Sequence, residues 1–408
     1  MFKTKCHQWY LSNRAYKFNR IEVKKISSNS PEVKKTCMYD FHVKNNGKMV
    51  NFSNFLLPLK YEDSIEISHQ HTRTNASLFD VGHMLQTEIS GNNAAEYLES
   101  LTTADLKNLN QGASVLTVFT NDNGGILDDL IITKDSENKF FVVSNAGRRN
   151  EDMEIFEKRK NEYKIQEKQI SLIHFDPSEY GLVALQGPSA AGILQSFVDI
   201  DLTKLKFMNS VKTKILKMEC RISRCGYTGE DGFEISSQGN NIKILAEKFL
   251  YSTDVKLAGL GARDSLRLEA GLCLYGHDID ENTTPIEAGL GWLVARRRKQ
   301  NSDFPGAKKI LSQIKEGVEK KRIGLTLENG PAARENTPIL SLNGEFIGAV
   351  TSGGRSPTLK KPIAMGYVPP EQGKIGSKVL VDVRGKIYEA IVTKMPFVQT
   401  NYYTDKKK

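Results

Sequence analysis

Ile126-Leu127-Asp128-Asp129-Leu130-Ile131-Ile132 is an apolar run interrupted by two adjacent carboxylates. It follows the turn Asn121-Asp122-Asn123-Gly124-Gly125, which Val115-Leu116-Thr117-Val118-Phe119 precedes. Two apolar runs around a glycine-containing turn read as a β-hairpin. Successive side chains of a strand point to opposite faces, so the two aspartates must diverge. If one face is buried, one carboxylate goes inward in either register. A buried carboxylate without a partner is very costly, so a side chain, the backbone or a ligand has to satisfy it.

Strand signals recur on both sides of this hairpin and mix with helical stretches. Phe140-Phe141-Val142-Val143, Phe233-Glu234-Ile235 and Arg322-Ile323-Gly324-Leu325 are strand-like. Asn92–Leu101 suits a helix, as does Ala262–Glu269 with its stop at Gly271. The absence of a regular βαβα alternation disfavours a doubly wound parallel sheet and makes α+β the fold class. The segment from Arg296 to Lys320 is basic and polar and reads as a connection between domains, with room for a short helix. After it, Glu345–Thr351, Met365–Val368, Lys378–Val383 and Tyr388–Val392 are short strands punctuated by Gly and Pro, the pattern of a small β-barrel or sandwich.

The chain of 408 residues is long enough for about two or three domains. No stretch approaches the roughly 20 apolar residues of a membrane helix, so no membrane insertion is expected. Of the net charge of +9, residues 1–30 supply +6, through Lys3, Lys5, Arg14, Lys17, Arg20, Lys24 and Lys25 against Glu22. The basic character therefore belongs mostly to the start of the chain, which argues against a nucleic-acid surface on the folded body. That start is basic, acid-poor and Ser-containing without a long apolar core, which resembles an organellar transit peptide; the bland alternative is a disordered cytosolic tail. Cys6, Cys37, Cys220, Cys225 and Cys273 form no CxxC pair, and their number is odd. A disulfide framework or cysteine-rich zinc site is disfavoured, and a reducing compartment fits.

Other constellations are weaker when read alone. Gly259-Leu260-Gly261 lacks a third glycine and a preceding strand, so it is no dinucleotide fingerprint. His69 and His71 are two residues apart, which separates them on a helix, and with His83 they read as surface or hydrogen-bonded histidines rather than metal ligands. Gly226-Tyr227-Thr228-Gly229-Glu230-Asp231-Gly232 reads as an acidic hairpin tip, although its glycines also permit close approach of a ligand. Arg263 and Arg267 share a helix face, where two guanidiniums suit a planar, heteroatom-rich ligand. Asp264 at i,i+3 explains Arg267 structurally; Arg263 has no acidic partner ahead of it and stays open. Tyr402 and Tyr403 suit either packing of a last strand or stacking on an aromatic ligand. The basic runs Arg296-Arg297-Arg298-Lys299 and Lys360-Lys361 read as solvated surface, with an acidic partner as the alternative.

Several segments in order resemble one family. They are Phe79-Asp80-Val81-Gly82-His83-Met84, Gly124-Gly125-Ile126-Leu127-Asp128-Asp129-Leu130, Val143-Ser144-Asn145-Ala146-Gly147, Ala184-Leu185-Gln186-Gly187-Pro188, Gly226–Gly232, Ala262–Gly276, and Lys394-Met395-Pro396-Phe397 through Tyr403. From about Tyr39 to Thr404 the chain is similar to the T proteins of the glycine cleavage system, tetrahydrofolate-dependent aminomethyltransferases. The resemblance implies a three-domain cloverleaf around a folate channel. Residues 1–30 would be a mitochondrial transit peptide, 31–300 two interleaved α+β domains binding folate, and 318–404 a C-terminal β-barrel. It implies transfer of a one-carbon unit from aminomethyl-dihydrolipoyl H protein to tetrahydrofolate in the mitochondrial matrix, alongside the P and L proteins. The products would be 5,10-methylenetetrahydrofolate, ammonia and dihydrolipoyl H protein, and no metal is used.

By motif position, Asp129 resembles the family's catalytic aspartate, which orients the pterin and assists its nitrogens. Tyr227 resembles a tyrosine lining the folate, and Glu234 and Arg263 a pair binding its polar groups. Asn145, Tyr402 and Met84 resemble further contacts. Asp128 is then expected on the opposite face, with a structural hydrogen bond or solvent. Departures are Gly82 for a common serine, Asn54-Phe55 for Gly-Trp, and the basic Arg148-Arg149. The rivals are a folate-binding iron–sulfur cluster assembly factor of the same fold and a folate-dependent demethylase. The first carries Lys-Gly-Cys-Tyr-x-Gly-Gln-Glu, from which Gly271-Leu272-Cys273-Leu274-Tyr275-Gly276-His277-Asp278 departs.

Overall fold

A computed structural model describes residues 33–404, so the expected transit peptide lies outside the described residues. The central strand Tyr180–Gln186 is buried along almost its whole length, as its continuous apolar run requires. It sits in a six-stranded sheet ordered Ser210–Ile215, Met218–Ser223, Gly232–Gln238, Tyr180–Gln186, Ala76–Asp80, Val255–Leu257. The helix Gly239–Phe249 covers one face with Ile242, Leu245, Ala246 and Phe249, an apolar stripe at helical spacing.

Between Ala76–Asp80 and Tyr180–Gln186 the chain leaves this sheet and builds a second one. Its five strands run Ser114–Thr120, Ile126–Ser136, Lys139–Ser144, Leu85–Ser90, Ser171–His174. The first two are the hairpin expected from sequence. The helix Arg149–Ile165 lies across this sheet; Phe156 meets Phe119 edge-on at 5.4 Å, and Tyr163 meets Tyr97 at 5.4 Å. A closed six-stranded barrel follows, from Lys321–Leu327 to Lys386–Thr393, with Leu325, Ile339, Val350, Val379, Val381 and Ala390 filling its interior. The architecture is thus α+β with a C-terminal barrel.

The helix expected at Asn92–Leu101 spans Ala94–Glu99, and the one expected at Ala262–Glu269 spans Leu260–Glu269, followed by Gly271 at φ +69°. A left-handed residue just past a helix end satisfies its last carbonyls, and glycine adopts it without strain. The connection 296–320 holds two helices, Arg296–Asn301 and Ala307–Glu316. Its basic run is not the solvated surface expected. Arg298 is fully buried, donating to Asp303 and to the carbonyls of Glu99 and Ala104, and Arg297 pairs with Glu99 and Asp105. Positive charge there ties the connection to the five-stranded sheet's domain. Lys360 and Lys361 pair with Glu66 and Glu328.

Candidate active site

The hairpin turn is pinned from outside. Asn121 Oδ1 accepts from the amides of Asn123 and Gly125, both at 2.9 Å, and Asn121 Nδ2 donates to the Glu281 carbonyl. A side chain on Gly125 would run into that same carbonyl at 1.8 Å, so only glycine fits. The ladder pairs Phe119 with Asp128 and Val118 with Asp129, with a register shift just before the pair. On the other side Leu130 pairs with Ser144, so the next residue, Asn145, comes opposite Asp129.

Asn145 clamps both aspartates. Its backbone amide donates to Asp128 Oδ2 at 2.9 Å; its Nδ2 reaches Asp128 Oδ1 at 3.0 Å and Asp129 Oδ1 at 2.8 Å. Alternation does separate the two side chains, yet the deeper burial falls on Asp128, which is fully buried, while Asp129 stays partly exposed. Both faces of this strand are covered, because the helix Arg149–Ile165 closes over the Asp128 side. Burial, then the neighbouring Asp128 charge, push the Asp129 carboxyl up to about 7.

Tyr227 borders the same space: its electrostatic neighbours include Asp129, Arg263 and Arg267, and its hydroxyl donates to the Cys273 carbonyl. The Arg263 guanidinium lies over the Tyr227 ring at 4.8 Å, and its NH1 is buried without a hydrogen-bond partner. Glu234 stands near Arg263; burial raises its carboxyl, and Arg263 and the Cys225 thiol counter that rise. An orphaned guanidinium nitrogen beside an incompletely paired carboxylate is an arrangement a polar heterocycle can complete. Arg267, by contrast, is fully engaged, with Asp264 at 2.9 Å, Asp278 at 2.7 Å and Ser352 at 2.9 Å.

Met84 is half-buried against the cluster that includes Phe79, Val81 and Leu266, and the Arg149 guanidinium donates to its carbonyl. Tyr402 stacks on Phe207 with centroids 4.6 Å apart. It is tied to the Gly226–Gly232 loop through Asn401, whose amide donates to the Gly229 carbonyl and whose Nδ2 donates to Glu230. The acidic residues of that loop are structural: Glu230 pairs with Arg73 and Asp231 with Arg224. So Asp129, Asn145, Tyr227, Arg263 and Glu234 gather in one neighbourhood, while Tyr402 lies on the C-terminal strap with Phe207, Arg73 and Glu230 as its neighbours. The histidines stay apart: His69 is buried on Ser265 and Glu269, and His71 faces the Asp254 carbonyl. His83 packs edge-on to Phe52, and burial lowers it to about 4.

Two family models match the chain, the GCVT N-terminal domain over residues 38–298 and the glycine cleavage T-protein C-terminal barrel domain over residues 320–399. The chain is 50% identical to the mitochondrial aminomethyltransferase of Homo sapiens, covering 91% of this chain and 92% of that protein. To the mitochondrial aminomethyltransferase of Solanum tuberosum it is 46% identical, covering 91% of each. The glycine cleavage system aminomethyltransferase T of Bartonella henselae has the same fold, with a TM-score of 0.85 and 37% identity over 91% of this chain and 100% of that one.

The chain belongs to the glycine cleavage T-protein family.

It is accordingly an aminomethyltransferase of the mitochondrial kind, and neither the iron–sulfur assembly nor the demethylase reading is favoured. Two residues packed beside the candidate site residues have contacts that the sequence reading did not anticipate. One is Asp152, fully buried on the helix Arg149–Ile165 against Asp128. A signal existed: Arg149, Asp152, Phe156 and Tyr163 are this helix's buried residues, and their spacing traces one face. The other is Asn401, whose role depends on where the chain goes after the barrel, which no local pattern encodes.

Proposed function

We propose that this T protein moves the one-carbon unit of aminomethyl-dihydrolipoyl H protein onto tetrahydrofolate. The carbon–sulfur bond breaks, both folate nitrogens bond to the carbon, and ammonia leaves. The products are 5,10-methylenetetrahydrofolate and dihydrolipoyl H protein. Asp129 faces the folate nitrogens, holds the pterin in place and takes or returns a proton as they react. The single observation that carries the reading is geometric: Asp129 is held by Asn145 at 2.8 Å in the neighbourhood of Tyr227 and the unpartnered Arg263 NH1, and a carboxyl pushed up to about 7 there is matched to proton exchange near neutral pH. Glu234 and Arg263 bind the ligand's donors and acceptors, with the free Arg263 NH1 directed to it. Tyr227 walls the ligand, and Asn145 fixes Asp129. Met84 and Tyr402 line the cavity further out, so folate sits between the two α+β sheets and the strap that follows the last barrel strand, Lys386–Thr393.

Lipoyl-bearing H protein is the direct partner, the P and L proteins act before and after it, and the setting is the mitochondrial matrix. The test is to incubate the purified protein with tetrahydrofolate and aminomethylated H protein. Ammonia release that requires both supports the proposal. No release from a protein with intact fold refutes it.

A further inference from the structure

Asp152 is a buried carboxyl that the proposed mechanism does not use. It is fully buried, and neither of its oxygens makes a hydrogen bond of regular geometry. The group it faces is another fully buried carboxyl, Asp128, with the Ser144 side chain alongside. Two carboxylates cannot both stay ionised in contact in a dry interior; one proton between them turns the repulsion into a charge-assisted hydrogen bond. The remaining acceptor capacity of Asp128 goes to the Asn145 amide and Nδ2, at 2.9 and 3.0 Å, and the same Nδ2 reaches Asp129 at 2.8 Å. A continuous chain therefore runs from the helix Arg149–Ile165 to the reacting carboxyl.

We propose that Asp152 is a positioning residue for the transfer reaction: it shares one proton with Asp128, and this bridge holds the Asn145 amide on Asp129. The inference rests on the reading of Asp129 given above. Burial raises both carboxyls, and the neighbouring Asp152 raises Asp128 further, which keeps one proton on the pair at neutral pH. The other charged or titratable groups around the pair are Asp129 on the same strand, Arg148 and Glu151 at the start of the helix, and Tyr275 from the segment packed over the strand. At alkaline pH the shared proton leaves, the two carboxylates separate, and Asn145 is released.

The conservative variant Asp152→Asn supplies a permanent N–H to Asp128. It is expected to keep turnover near wild type at neutral pH and to lack the alkaline fall in kcat expected of the wild type. Asp152→Ala removes the bridge and is expected to lower kcat by about 10- to 100-fold, with the tetrahydrofolate KM little changed. An Asp152→Asn profile that falls in the alkaline range as the wild type does overturns the bridge, as does an Asp152→Ala enzyme with wild-type kcat. If Asp152→Ala does not fold, the Asp152→Asn profile decides alone. Failure of the underlying reading is separate: it appears as wild-type turnover in Asp129→Asn, whatever the Asp152 variants do.

Discussion

Glu269 and Asp129 are both carboxylates near the middle of the molecule, and their surroundings differ in one respect, the supply of donors. Glu269 accepts from His69 at 3.0 Å, Arg73 at 2.9 Å, the Thr358 amide and hydroxyl at 3.0 and 2.8 Å, and the Ser356 hydroxyl. These donors overcome burial and hold it at about 2. The Asp129 carboxyl accepts from Asn145 Nδ2 at 2.8 Å and lies beside another acid, and it rises to about 7. A saturated carboxylate is a fixed charge that joins elements: Glu269 links two helices to the loop after Phe346–Arg355. An undersupplied one can still exchange a proton and accept a ligand's donor. Donor count thus separates scaffold from site more reliably than burial does.

Glu269→Ala attacks the saturated side of that contrast. It takes the carboxylate from the buried His69 and leaves Arg73 with the Glu230 carboxylate, and unfolding in denaturant should show a loss of about 3–5 kcal/mol. A change within about 0.5 kcal/mol would show that this cluster is not structural. Asp129→Asn attacks the other side. It keeps the shape and is expected to lower ammonia-release turnover by about 100-fold or more, from a protein that still folds. Arg263→Ala should weaken tetrahydrofolate about tenfold in a titration, roughly 1.4 kcal/mol, while Arg267 keeps the helix anchored. Unchanged affinity would move Arg263 to the structural side.

The two carboxylates should also respond to pH with opposite sign. Glu269 has a folded pKa below its unfolded value, so its contribution to stability is present above about pH 4.3 and is lost as pH falls towards 2. Asp129 has a folded pKa above its unfolded value, so its contribution is present below about pH 3.9 and is lost as pH rises through 7. Denaturant unfolding of wild type and Asp129→Asn should therefore diverge between these limits, with Asp129→Asn gaining relative stability as pH rises; parallel curves would contradict the raised value. The smallest effect belongs to Asp264→Ala, whose side chain is 55% exposed beside Arg267. A surface pair of this kind contributes about 0–1 kcal/mol, and a larger loss would show Arg267 to depend on it.

Much of this site was legible locally. The hairpin, the divergence of Asp128 and Asp129, the Asp264–Arg267 pairing and the open case of Arg263 all follow from period, turn chemistry and i,i+3 spacing. What alternation could not supply was the cover on each face of the strand. It allowed solvent at Asp128, whereas the helix Arg149–Ile165 buries that carboxyl completely. That helix is so rich in charge that its short apolar face was easily overlooked, and Asp152 with it. The basic run at Arg296–Lys299 was misread for the same reason: charge in sequence looks like surface until its counter-ions, Glu99, Asp105 and Asp303, are brought beside it.

The sequence by itself determined the α+β class, the terminal barrel, the T-protein resemblance and the pair of carboxylates at a definable turn, because each depends on residues close together in the chain or on motifs in order. Tertiary structure alone decided which carboxylates are saturated and which are left short of donors. The donors to Glu269 come from residues 69, 73, 356 and 358, and the acid facing Asp128 comes from a helix between the strands Lys139–Ser144 and Ser171–His174 of the hairpin's sheet. Proton affinity in a protein interior is set by what stands within a few ångströms, and the order of residues along the chain does not specify those neighbours until the fold has closed.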